Sequence, residues 1–193
     1  VKLDELVAIA FAVETKVEGV TDASEALTHF FFDRLRVMMR EAGYSAQEVD
    51  AVLAKHDTDL AQTPKKLAAV HKFMQLPESA SLAAANKRIA NILKKSADVQ
   101  TGEVDDALLV EEAEKKLYDV LGDHEPIAKL FFEKGEYEGM LATLTPLKDP
   151  VDAFFADVMV NSEDEKLRLN RLALLKRLYA LMNRVAELSR LAI

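Results

Sequence analysis

Helix start and stop signals recur along this chain at short intervals, and no stretch alternates polar and apolar residues as a half-buried strand would. Asp22 with Glu25 reads as a capping pair, and Gly43 ends the helix that follows. Ser45 and Glu48 form an S-x-x-E box, which satisfies orphan N–H groups at a helix start. Thr63-Pro64 puts proline in a first turn, Asp149-Pro150 with Asp152 repeats the device, and Ser162 with Glu165 opens the last helix. The spacing predicts helices near 3–18, 22–42, 46–55, 64–75, 80–96, 106–121, 125–134, 136–144, 150–160 and 163–191. The fold class is all-α, a multi-helix bundle with a long C-terminal helix of roughly 43 Å at about 1.5 Å per residue. No internal repeat is detectable. The weakest joints are LPES at 76–79 and SADVQTGEVDD at 96–106, the second expected as a mobile loop. The first suggests a boundary near 78, with a helical region over 1–78 and a second unit over 79–193.

The segment LRLNRLALLKRL, residues 167–178, raises the sharpest question. Leu167, Leu174, Leu175 and Leu178 lie at i−4, i+3, i+4 and i+7 from Arg171, so they form one apolar stripe with the arginine in its middle. A guanidinium stays charged there and needs a carboxylate or several carbonyls. The nearest acids on the preceding helix are Asp152 and Asp157. Asp157 falls on that helix's polar side, so Asp152 is the expected partner, with Arg171 clamping helix 150–160 to the last helix. Arg177 is expected on the outer face.

Charge is unevenly distributed. The formal net charge of −8 argues against nucleic acid, but residues 82–96 carry Lys87, Arg88, Lys94 and Lys95 and no acid. Residues 166–193 carry seven basic groups against Glu187 alone, whereas 98–138 carry thirteen acids against four lysines. Half the residues (50%) are hydrophobic, enough for a packed core. The absence of cysteine excludes disulfides and thiolate metal sites and fits a reducing compartment. No apolar run approaches the roughly 18 residues of a membrane span. The opening VKLDELVAIA has no signal-peptide layout and no initiator Met, as in a fragment of something longer.

Catalytic motifs are scarce. His56-Asp57 is an HD dipeptide with His29 upstream, the residue types that hold divalent ions in metal-dependent phosphohydrolases, but a helix-end His beside a capping Asp fits the same letters. No phosphate-cradling Gly-rich loop, GxSxG or HExxH occurs. The carboxylates at 103–114 read as a solvated acidic face. In PVDAFFADVMV, Val151, Phe154, Phe155 and Val158 share a face expected to be core, although aromatics can also stack on unpaired bases.

The helix SLAAANKRIANILKKS says more. Lys87, Arg88, Asn91, Lys94 and Lys95 fill an arc of about 120°, opposite Leu82, Ala85, Ile89, Ile92 and Leu93. This face is either a solvated surface or a phosphate-contacting one, with the amide of Asn91 able to reach a base edge. Asn86 falls on the apolar side, where a buried amide must find partners, so its role is structural.

LAAANKRIANILKK, followed some fifty residues later by PVDAFFADVMVNSEDEKLRLNRLALLKRL and then VAELSRL, resembles the C-terminal end of the β subunits of bacterial heterotetrameric glycyl-tRNA synthetases. That end is similar to the DALR-type anticodon-binding domain of arginyl-tRNA synthetases. The likeness is strongest over 80–193, and YSAQEVDAVLAK and AAVHKFM look like the helical region before that domain. NSED at 161–164 departs from the pattern, in a loop. The resemblance implies a helical bundle that grips the anticodon arm of tRNA-Gly as part of glycine–tRNA ligase. It implies a cytoplasmic α2β2 assembly with the α subunit, which uses ATP and Mg for the chemistry, so that this region holds no catalytic residue, metal or cofactor and binds neither DNA nor membrane. Lys87, Arg88, Asn91, Lys94, Lys95, Arg168 and Arg177 are the expected tRNA contacts; Asn91, Arg168 and Arg177 can read base edges in an unstacked loop. Arg171, Asp152 and Asn86 are expected to be structural. Two other readings compete: a helical protein–protein interaction module that ignores nucleic acid, and a degenerate HD-type hydrolase fragment.

Overall fold

The computed structural model describes residues 2–14 and 22–192. All regular structure among these is helical: α1 (Leu3–Glu14), α2 (Ser24–Glu41), α3 (Ala46–Leu53), α4 (Thr63–Phe73), α5 (Ser79–Lys95), α6 (Glu112–Glu133), α7 (Tyr137–Ala142), α8 (Lys148–Asp157) and α9 (Glu165–Met182), with short 3-10 turns between them. Residues 15–18 of the first expected helix lie outside the described residues.

Local chemistry sets most ends. Ser45 Oγ accepts from Glu48 N at 3.2 Å while the Glu48 carboxylate accepts from Ser45 N at 2.7 Å, the reciprocal box read from the sequence. Gly43 (φ +100°) and Gly135 (φ +69°) follow α2 and α6 in the left-handed conformation that glycine adopts without a Cβ clash. Asp22 accepts from Ser24 N at 2.8 Å, just ahead of α2. At the start of α9 the capping group is Asp164, which accepts from Lys166 N and Leu167 N, rather than Ser162.

Three expectations fail, each where packing overrides a local signal. The two helices expected at 106–121 and 125–134 are one, α6, running through Pro126. An internal proline costs about 3 kcal/mol, but Leu117, Leu121 and Ala128, all at 0% exposure, pack in the core on both sides of it and hold the axis continuous. The segment before α6 is a 3-10 turn (Asp106–Leu108) capped by Asp105, and a Glu111–Glu114 capping box starts the helix. The last helix stops at Met182, 18 residues long and thus about 27 Å instead of roughly 43 Å. Buried Asn183 ends it: its amide donates to Tyr179 O at 2.9 Å and accepts from Leu188 N at 2.8 Å. The chain then turns, Glu187 N donates to Ala51 O at 2.8 Å, and the 3-10 turn Leu188–Leu191 packs against α3 and α5. Finally, α9 is not a one-sided amphipathic helix. Asn170 through Leu175 are all buried, whereas Leu167 is only half-buried, because α9 runs through the middle of the bundle.

Helices on both sides of residue 78 share contacts. Lys66, only 4% exposed, sets its ammonium over the adjoining rings of Phe132 and Tyr137, and Lys72 pairs with Glu138 at 2.7 Å. The 96–106 segment is irregular and pinned at its end: Asn170 accepts from Asp105 N at 2.8 Å and donates to Asp105 O at 2.9 Å.

The turn after α9 carries a pH-sensitive contact. Tyr179 donates to Glu187 at 2.9 Å, and burial together with that carboxylate pushes its hydroxyl up to about 12. A folded-state value above the unfolded one stabilises the fold fully below the unfolded value near 10, and the gain is lost as pH rises toward 12. Tyr179→Phe is therefore expected to lose less stability than the parent between pH 10 and 12 in denaturant titrations; identical losses would remove Tyr179 from the alkaline transition.

Candidate nucleic-acid interface

The basic residues of α5 stand as the helical wheel places them. Leu82, Ala85 and Ile89 face the core, whereas Lys87, Arg88, Asn91, Lys94 and Lys95 are exposed. Lys87, Asn91, Lys94 and Lys95 make no ion pair or hydrogen bond among the described residues. Arg88 lays its guanidinium 4.1 Å from the ring centroid of Phe155 on α8. Phe155 is thus only half-buried, while Val151, Phe154 and Val158 on the same face are core as expected. The opposite side of α5 packs against α9 and the turn after it, so the two basic helices are neighbours.

The cations of α9 are used differently. Arg171 is 5% exposed, but its partner is not Asp152. Its Nε donates to Glu114 Oε1 at 2.7 Å, its Nη2 lies 3.4 Å from Glu114 Oε2, and its Nη1 donates to Met159 O at 2.9 Å. Glu114, at 0% exposure, also accepts from Val110 N and Glu111 N, so one carboxylate caps α6 and neutralises the buried guanidinium. Asp152 instead accepts from Ser81 on α5 at 3.0 Å and pairs with Lys148 at 3.1 Å. The expected clamp joins α9 to α6 and to the backbone after α8. The reading of 103–114 as a uniformly solvated acidic face fails at Glu114. Its signal was in the sequence, as the E-x-x-E spacing of Glu111 and Glu114 ahead of an apolar run.

Arg177 is not on an outer face either. It makes a bidentate pair with Glu125 at 2.9 and 2.8 Å, stacks 5.0 Å from the Tyr118 centroid, and keeps 28% of its side chain exposed. The hydrogen bonds that it donates to Glu125, outweighing partial burial, hold its guanidinium above the usual range. The acidic stretch therefore neutralises part of the basic last helix from within. Arg168 is half-exposed, with a long 3.7 Å contact to Glu165, and remains open to solvent. Asn86 is fully buried, but both of its amide atoms lack a hydrogen-bond partner, contrary to the expectation that it would find one.

At the HD dipeptide, His56 has φ +48° and packs on Phe32 with centroids 5.6 Å apart, while the Asp57 carboxylate pairs with Lys66. Among the described residues no group of three or more His, Asp or Glu side chains is placed to hold a metal ion. No helix of the described residues is long and apolar enough to cross a membrane.

The profile of the DALR anticodon binding domain matches residues 82–188, which run from the basic face of α5 to the turn after α9. The chain belongs to the DALR anticodon-binding domain family. In this DALR domain the α5 face, the Arg88–Phe155 stack and the Arg171–Glu114 pair all lie within the matched residues. The chain is 55% identical over 181 residues to the glycine–tRNA ligase beta subunit of Leptothrix cholodnii, covering 94% of this chain and 25% of that protein. It is 50% identical over 190 residues to that of Dechloromonas aromatica (98% and 27%) and 54% identical over 170 residues to that of Methylobacillus flagellatus (88% and 24%). It spans about a quarter of the length of the relatives it matches.

Proposed function

We propose that this chain grips the anticodon arm of tRNA-Gly as a non-catalytic part of a glycine–tRNA ligase β subunit, with residues 79–193 as the RNA-binding unit. The observation that carries this reading is the exposed face of α5. Among the described residues its lysines have no carboxylate partners, unlike Arg171 and Arg177, so their charge is available to phosphates. Arg168 extends the set from α9, and Asn91 supplies an amide among the cations; Arg177, tied to Glu125, serves as a reader only if that pair opens. In the whole protein the α subunit supplies ATP- and Mg-dependent glycylation in a cytoplasmic α2β2 assembly.

One observation favours the protein-docking alternative. Leu6, Ile9, Val13, Leu27, Phe30 and Phe31 expose large apolar surface on α1 and α2. A gel shift separates the two readings: the chain is titrated against tRNA-Gly and against a tRNA altered only in its anticodon, over a salt series. Salt-sensitive binding that favours the native anticodon is expected. Indifference to both tRNAs at low salt would leave protein docking as the function.

A further inference from the structure

Beside the basic face of α5 lies a shallow groove of about 420 Å³, bounded by α5 and α8 and lined by Ser81, Ala84, Ala85, Arg88, Asp152 and Phe155. We propose that this groove is a nucleobase slot, in which an unpaired base stacks on the Arg88–Phe155 pair and donates its exocyclic amino group to the Asp152 carboxylate. The proposal rests on the reading of α5 as an RNA-binding face and adds the place where base identity is sensed.

Three features support it. The first is a ready stacking surface. Phe154 is fully buried and holds Phe155 edge-on at a centroid distance of 5.6 Å, and the Arg88 guanidinium carbon sits 4.1 Å from the Phe155 centroid. Arg88 is exposed, so its outer side is open to a base, and guanidinium planes stack on bases as aromatic rings do. Second, Ala84 and Ala85 present only methyl groups along the α5 wall, leaving room for a flat ring. Third, the polar end has an unused acceptor. A carboxylate offers about four lone-pair sites. Asp152 spends only some of them, on the Ser81 hydroxyl at 3.0 Å and Lys148 at 3.1 Å, with 48% of its side chain still open to solvent. The Ser81 contact holds the carboxylate toward α5 rather than toward Arg171.

An acceptor-only edge selects bases that carry an amino group, and acidic side chains accept from cytosine N4 in this way. Uracil presents a carbonyl at that position and meets the carboxylate with like polarity. Glycine codons begin with two guanines, so the anticodons that read them carry two adjacent cytosines, which makes cytosine the occupant that the chemistry favours.

The test uses the chain with anticodon stem–loop RNAs that differ only in cytosine or uracil at one loop position. The parent is expected to prefer cytosine by about tenfold, the discrimination of one good edge contact. Asp152→Asn, whose amide can also donate, should bring the two within about twofold, with an unchanged melting temperature and salt slope. Phe155→Leu keeps the bulk and removes the ring, so it should weaken both RNAs alike. If Asp152→Asn retains the parental preference, the slot is overturned. Salt-dependent binding with no base preference in the parent would also overturn the slot while leaving the RNA-binding reading intact. Absence of any RNA binding by the parent would overturn both.

Discussion

Arg171→Ala is expected to lower stability by about 3–5 kcal/mol, the range for breaking a buried ion pair from one side. At this chain length that corresponds to a fall in melting temperature of roughly 6–20 °C. The loss is large because of what remains behind. Glu114 stays at 0% exposure, keeping only the Val110 and Glu111 N–H groups as partners. The Met159 carbonyl loses its donor as well. Glu114→Gln should cost a similar amount, since it strands the guanidinium instead, and a double-mutant cycle should show strong coupling between the two. Asp152→Asn should barely move the melting temperature. Arg177→Ala belongs between these extremes, at about 1–2 kcal/mol, because its bidentate pair with Glu125 is partly solvated and screened. An Arg171→Ala protein with parental stability but no tRNA binding would reverse the assignment and make Arg171 a ligand contact.

The second large effect is on RNA. Replacing Lys87, Arg88, Lys94 and Lys95 together with glutamine should weaken tRNA binding by about 1000-fold at roughly 0.1 M salt. Each lost phosphate contact removes about 0.7–0.9 from the slope of log affinity against log salt, so four together remove about 3. The fold should survive, because these side chains are exposed and, among the described residues, only Arg88 of the four makes an ion-pair, hydrogen-bond or ring contact, with Phe155. Unchanged affinity and slope across a salt series would remove α5 from the interface.

These two expectations separate cations that had looked alike. By letter count the last helix is as basic as α5, and both were candidate RNA surfaces. Arg171 and Arg177 are consumed internally by Glu114 and Glu125, which stand 57 and 52 positions earlier in the chain. The charge polarity along the sequence is therefore partly an ion-pair system that joins α6 to α9.

What the sequence by itself determined lies within a few residues of each signal. The Ser45–Glu48 box, the glycine after α2, the division of α5 into a core side and a cationic side, and the placement of Arg171 in the core all follow from helical spacing and capping chemistry. The run of motifs from α5 to α9 was also specific enough to identify the family. Only the tertiary structure decided which carboxylate meets Arg171, that α6 continues through Pro126, and that α9 ends at Asn183 so the chain can fold back on α3. In each case the competing local rule was sound, but it reaches one turn. A buried guanidinium takes whichever carboxylate the packing brings to it, and apolar burial on both sides of a proline outweighs its missing hydrogen bond.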